Sequence, residues 1–150
     1  SNLPAYLLPS IIFILGSIIS FSTGTAYGTM GIIMPLAIPL AFALNPDYGY
    51  MIANVGAVLT GAIFGDHCSP ISDTTILSSM GAGSDHLAHV KTQLPYALTI
   101  AVISVIFGFL PVGFGVSIYI TLPIAIIAVI STLYFWVDIS KYFYTSYAEY

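Results

Sequence analysis

Seven side chains able to carry chemistry fall between positions 66 and 75: Asp66, His67, Ser69, Ser72, Asp73, Thr74 and Thr75. Carboxylates and hydroxyls are hard oxygen ligands, and such ligands suit hard metal cations. Pro70 lies among them. Proline removes a backbone donor and clashes with the preceding turn, so a helix entering this stretch is expected to break. A break frees backbone carbonyls, which add oxygens to those of the side chains. The plain alternative is a polar loop that simply lies in water.

A second cluster, Ser22-Thr23-Gly24-Thr25, offers three hydroxyls on glycine-containing backbone and no charge. Ser22, Thr23 and Thr25 could coordinate a cation or a substrate carboxylate, or they could satisfy their own backbone in a turn. Other arrangements are weaker. Asp85-His86 with His89 has a helical metal-site spacing, but it lies in the most hydrophilic connection, where a solvated helix cap is the simpler expectation. Cys68 is the single cysteine, so no internal disulfide forms. No HExxH, GxSxG, P-loop or GxGxxG pattern occurs, and the usual enzyme signatures are absent with them.

Composition sets the elements that must hold these clusters. Charged residues make up 5% of the 150-residue chain, against about 25% in soluble domains. Hydrophobic residues make up 58%, and the mean hydropathy is +0.99. So few charges cannot solvate a soluble domain, which excludes a water-soluble enzyme and a disordered chain. Two lysines and no arginine leave no basic patch for nucleic acid. The remaining class is an integral membrane protein with several helices in a lipid bilayer. The first ten residues carry no positive n-region, so no signal peptide is expected.

The apolar blocks are Leu3–Ser20, Met30–Leu44, Tyr50–Gly65, Pro95–Leu110 and Val116–Trp136, with a short piece at Ile76–Ala82. Connections are expected at Asn45–Gly49, Gly83–Gln93 and Pro111–Gly115, with a polar tail at Asp138–Tyr150. Tyr50–Gly65 gives about 24 Å of helix, short of a hydrocarbon core of about 30 Å. It spans together with Ile76–Ala82 if Asp66–Thr75 is an unwound break at membrane depth. Irregular backbone survives there only against protein or a water-filled cavity. One Asp at that depth costs about 2.5–3.5 kcal/mol, which pairing, water or a bound cation can offset. The Ser20–Thr29 patch reads as the tip of a re-entrant hairpin or a second break. Ala53, Ala57, Gly61 and Gly65 recur every four residues and read as a packing face.

These residues carry a family resemblance. Gly65–Ser79, GDHCSPISDTTILSS, resembles the same run in the NhaC family of sodium/proton antiporters. Phe21–Thr29 resembles the family's FSTGTSWGT segment, with Ala26-Tyr27 in place of Ser-Trp. The resemblance covers most of residues 1–140. It implies an all-α integral membrane protein: a helical bundle with a re-entrant hairpin tipped by Ser22–Thr25 and a discontinuous transmembrane helix. That pair forms one inverted repeat in the ion transporter superfamily. The chain carries one such pair, so residues 1–150 are expected to be the second repeat of a larger antiporter, with the N-terminal repeat as its partner.

The implied activity is secondary active exchange of Na⁺ for H⁺ by a multi-pass protein of the plasma or inner membrane. No cofactor is implied, and Na⁺ and H⁺ are the transported ions. Asp66 and Asp73 would bind Na⁺ or H⁺ in competition. His67, Ser69, Ser72, Thr74, Thr75, Ser22, Thr23 and Thr25 would supply the surrounding polar groups. The alternative is a sodium- or proton-coupled exchanger of organic anions or amino acids, of malate/lactate type, on the same scaffold. A third reading is a non-transporting membrane subunit that packs through the Ala53–Gly65 stripe. A homo-oligomer is compatible with each. The two lysines, Lys91 and Lys141, place Gly83–Gln93 and the tail on the cytoplasmic side and Pro111–Gly115 outside.

Overall fold

The computed structural model describes residues 4–147, with side chains over 4–135. A 3₁₀ turn, Ala5–Leu7, leads into α1 (Leu8–Thr23). There follow α2 (Ala26–Leu44), α3 (Tyr48–Cys68), α4 (Asp73–Gly81) and α5 (His86–Ile103). A π-helical segment, Ser104–Phe109, continues α5 into α6 (Leu110–Gly113), and α7 is Ile118–Tyr147. No strand occurs among the described residues. Five stretches are long and apolar enough to cross a membrane: Ala5–Thr23, Ala26–Leu44, Tyr48–Cys68, His86–Gly113 and Ile118–Phe135. The expected all-α, multi-pass membrane class holds.

Helix ends follow local chemistry. α1 stops at Gly24, which takes φ 66, a left-handed conformation that glycine adopts without steric cost. Thr25 then caps α2, its Oγ1 accepting from the Gly28 amide at 3.3 Å. Asp47 and Asp85 cap α3 and α5, accepting from the Tyr50 amide at 3.0 Å and the Ala88 amide at 2.7 Å.

α1 and α3 form the core seam and run parallel. Tyr50 Oη donates to the Ala5 carbonyl at one end, and Ser69 Oγ donates to the Phe21 carbonyl at the other. Between them the backbones nearly touch. A Cβ on Gly61 would sit 2.5 Å from the Phe13 carbonyl oxygen, and one on Gly65 would strike the Ser17 carbonyl oxygen. Ala57 is fully buried. The expected packing face is therefore present at Ala57, Gly61 and Gly65, while Ala53 is only half-buried. α5 and α6 run back along α1: Phe109 packs on Phe13 at 5.1 Å, and Phe114 stacks on Tyr6 at 4.4 Å. The α1–α2 turn, the end of α3 and the start of α5 thus share one end of the bundle.

Several boundaries move. The first block continues through Thr23, and the Ser20–Thr29 patch is reduced to a two-residue turn, Gly24–Thr25. The third block has 21 residues, not the 16 of Tyr50–Gly65. α3 is long enough to cross alone, so the argument from its shortness falls. The break is narrower than Asp66–Thr75: Asp66, His67 and Cys68 lie in α3, and Asp73, Thr74 and Thr75 lie in α4. The reason is Pro70, which forces extended backbone on the residue before it. Ser69 accordingly takes φ −75 and ψ 131, and only Ser69–Ser72 unwinds.

The connection expected at Gly83–Gln93 shortens because the Asp85 cap starts α5 at His86, which puts Lys91 inside the helix. The turn expected at Pro111–Gly115 also shortens. Helical backbone runs on from α5 through Pro111 to Gly113, and the chain turns at Phe114 and Gly115. The side chains of the tail Asp138–Tyr150, Lys141 included, lie outside the described residues.

Candidate functional site

α3 ends and α4 begins around one buried carboxylate. Asp66 lies in the last turn of α3 and is 5% exposed. Ser72 Oγ donates to its Oδ1 at 2.8 Å, and Thr74 Oγ1 donates to its Oδ2 at 3.4 Å. The two hydroxyl oxygens are 2.7 Å apart. Ser72 is wholly buried. It occupies the N-cap position of α4 but makes no capping bond from its side chain. Its hydroxyl turns to Asp66 instead. The N-terminus of α4 therefore lies beside the Asp66 carboxylate.

This arrangement brings together three of the expected site residues: Asp66, Ser72 and Thr74. Asp73 differs from the expected second carboxylate. Its side chain is exposed, and its Oδ1 accepts from the adjacent Thr74 amide at 2.8 Å. It stands at the first position of α4, where backbone amides lack helical partners and a carboxylate satisfies one of them. His67 is exposed and turns back along α3, with Nδ1 2.9 Å from the Ile63 carbonyl oxygen. Thr75 Oγ1 donates to the His67 carbonyl at 3.1 Å. Ser69 Oγ points across to α1, donating to the Phe21 carbonyl at 2.7 Å.

The hydroxyls of the second cluster bond mostly to backbone. Ser22 Oγ donates to the Ile18 carbonyl at 2.8 Å, and Thr23 Oγ1 to the Ile19 carbonyl at 2.9 Å. Thr25 Oγ1 is held as the α2 cap. The turn nevertheless touches the break. A Cβ on Gly24 would sit 2.9 Å from Ile71 Cγ1 and 3.0 Å from the Ile71 carbonyl oxygen. Ser20, fully buried, ties the same region to α3 by donating to the Ala62 carbonyl at 2.5 Å.

Two residues outside the expected ion site hold the break from a third helix. His86 Nε2 lies 2.6 Å from the Pro70 carbonyl oxygen, and Gln93 Nε2 donates to the His67 carbonyl at 3.0 Å. Both were assigned to a hydrophilic connection. The signal that points to them is accounting: a helix that stops at residue 68 leaves carbonyls in need of donors. Asp85 caps α5 as expected, and no group of three or more His, Cys, Asp or Glu able to hold a metal occurs among the described residues.

A multi-pass helical protein whose buried carboxylate faces hydroxyls at a helix break has the make-up of a membrane transporter. Residues 1–114 match the Na⁺/H⁺ antiporter family, and the chain belongs to that family. A Haemophilus influenzae protein whose name states no activity is 50% identical over 116 residues, 77% of this chain and 22% of its own length. An uncharacterized Na⁺/H⁺ antiporter of the same organism is 38% identical over 109 residues, 70% of this chain and 22% of its own length. The malate-2H⁺/Na⁺-lactate antiporter of Bacillus subtilis is 41% identical over 102 residues, 67% of this chain and 21% of its own length. The chain spans about a fifth of the length of these relatives. No solved structure matches.

Proposed function

We propose that this chain forms the ion-binding part of a secondary active antiporter of the plasma membrane that exchanges Na⁺ for H⁺. The observation that carries the reading is the Asp66 carboxylate, buried at a helix break with the Ser72 and Thr74 hydroxyls on its two oxygens. A carboxylate oxygen takes a proton or lies against a cation, and it cannot do both. Protonated, Asp66 donates to a hydroxyl oxygen. Bound to Na⁺, it requires the hydroxyls to rotate their protons away and offer lone pairs. Coupling follows because one site holds one ion at a time. Asp73, at the start of α4, contributes negative potential from its exposed position. The chain is one structural repeat of the larger antiporter, and the remainder of the protein supplies the other.

The test is Na⁺-driven proton movement in vesicles containing the full-length protein. Asp66→Asn abolishes it on this reading, and undiminished exchange in that variant refutes it. A second reading, exchange of organic anions or amino acids coupled to Na⁺ or H⁺, is favoured by the name of the Bacillus relative. Proton flux with sodium alone supports the first reading. Flux that requires malate, lactate or an amino acid supports the second.

A further inference from the structure

His86 stands outside the oxygen cluster and grips the break from α5. Its Nε2 lies 2.6 Å from the Pro70 carbonyl oxygen, and its Nδ1 lies 3.0 Å from Ser79 Oγ. A carbonyl only accepts, so Nε2 carries a proton and donates it. Ser79 is fully buried near the end of α4. Pro70 and Ser79 are nine positions apart, and a straight helix would separate them by about 13 Å. One imidazole bridges them here. The ring therefore fixes the curl of the break.

That curl decides where Ser72 falls. On one side of Pro70, Ser69 is anchored to the Phe21 carbonyl of α1. On the other side, Ser72 reaches Asp66. The Pro70 carbonyl lies between these two fixed points. Gln93, about two turns further along α5, holds the His67 carbonyl at the end of α3. α5 thus supports the break from both sides.

We infer that His86 is a positioning residue for the ion site: by tying Pro70 to Ser79 it holds Ser72 Oγ against the Asp66 carboxylate. The inference rests on the reading of Asp66 as the ion-binding group. His86 itself contacts no ion. Residues that orient a ligand in this way typically alter metal affinity by about tenfold or more when removed.

The experiment is Na⁺-dependent proton movement by the full-length protein in vesicles, measured against sodium concentration. His86→Leu raises the KM for Na⁺ about tenfold and leaves the maximal rate within about twofold. His86→Gln keeps an amide that donates to the Pro70 carbonyl, so its KM returns most of the way to the original value. A His86→Leu variant with unchanged KM overturns the inference, as does a His86→Gln variant no better than His86→Leu. Should His86→Leu fail to accumulate, Ser79→Ala removes one end of the bridge and raises KM by about threefold; an unchanged KM there overturns the inference equally. Asp66→Asn separates the two levels. Exchange that survives in it refutes the underlying reading, whereas an inactive Asp66→Asn beside an unaffected His86→Leu refutes only the role of His86.

Discussion

The two polar motifs of this chain are both rich in hydroxyls and use them in opposite ways. At Ser22–Thr25 the hydroxyls bond to carbonyls one turn back or cap the next helix. At Asp66–Thr75 the hydroxyls of Ser72 and Thr74 turn away from their own backbone toward a buried carboxylate. The difference comes from what each turn leaves unpaired. The Gly24–Thr25 turn is short, and its own side chains satisfy it. The Ser69–Ser72 break buries a charge that side chains have to meet. A cluster of Ser and Thr is therefore not a ligand set until something buried requires their oxygens.

The strongest way to break this contrast is at Asp66. Asp66→Asn removes the charge that organises the break, and we expect complete loss of Na⁺-driven proton movement in full-length protein. Asp73→Asn, by comparison, removes an exposed carboxylate at a helix start, worth about 0.3–1 kcal/mol to the helix. Exchange should fall only a few-fold, and equal losses in the two variants would restore the expected carboxylate pair.

Ser72→Ala tests the inner shell. A buried hydrogen bond to a charged group is worth about 1.5–3 kcal/mol, so the apparent affinity for Na⁺ should fall at least tenfold in a transport assay. The seam beneath the site provides a stability control. Gly65→Val would overpack the α1–α3 contact at a cost of about 1–3 kcal/mol, read as a lower unfolding temperature in detergent. Ser22→Ala is the smallest expected effect. Its hydroxyl bonds one carbonyl on an exposed face, and exchange should change less than twofold.

The class and the two motifs were legible because each rests on a strong local signal. Eight charges in 150 residues leave no soluble alternative, and Pro70 marks a break on its own. The extent of the break was not legible. Hydropathy falls at Asp66, but helical hydrogen bonding continues to Cys68 because the proline acts on Ser69 rather than on residues further back. Nor could composition distinguish Asp66 from Asp73. Seven positions apart, one faces the buried hydroxyls and the other faces out, and only the direction of α4 decides between them. The bracing contacts of His86 were hidden for a different reason. Its partners, Pro70 and Ser79, lie 16 and 7 positions away, and no periodicity connects them.

The contact of Gly24 with Ile71 has a mechanical meaning. With Ser69 anchored to Phe21 on the same helix, it fastens the hairpin turn to the unwound segment at two points. Relative sliding of these parts would have to tear both fastenings. Any added bulk at Gly24 then acts as a wedge. Gly24→Ala should be felt at the carboxylate 42 positions further along the chain, as a change in sodium dependence without any change in the groups that touch the ion.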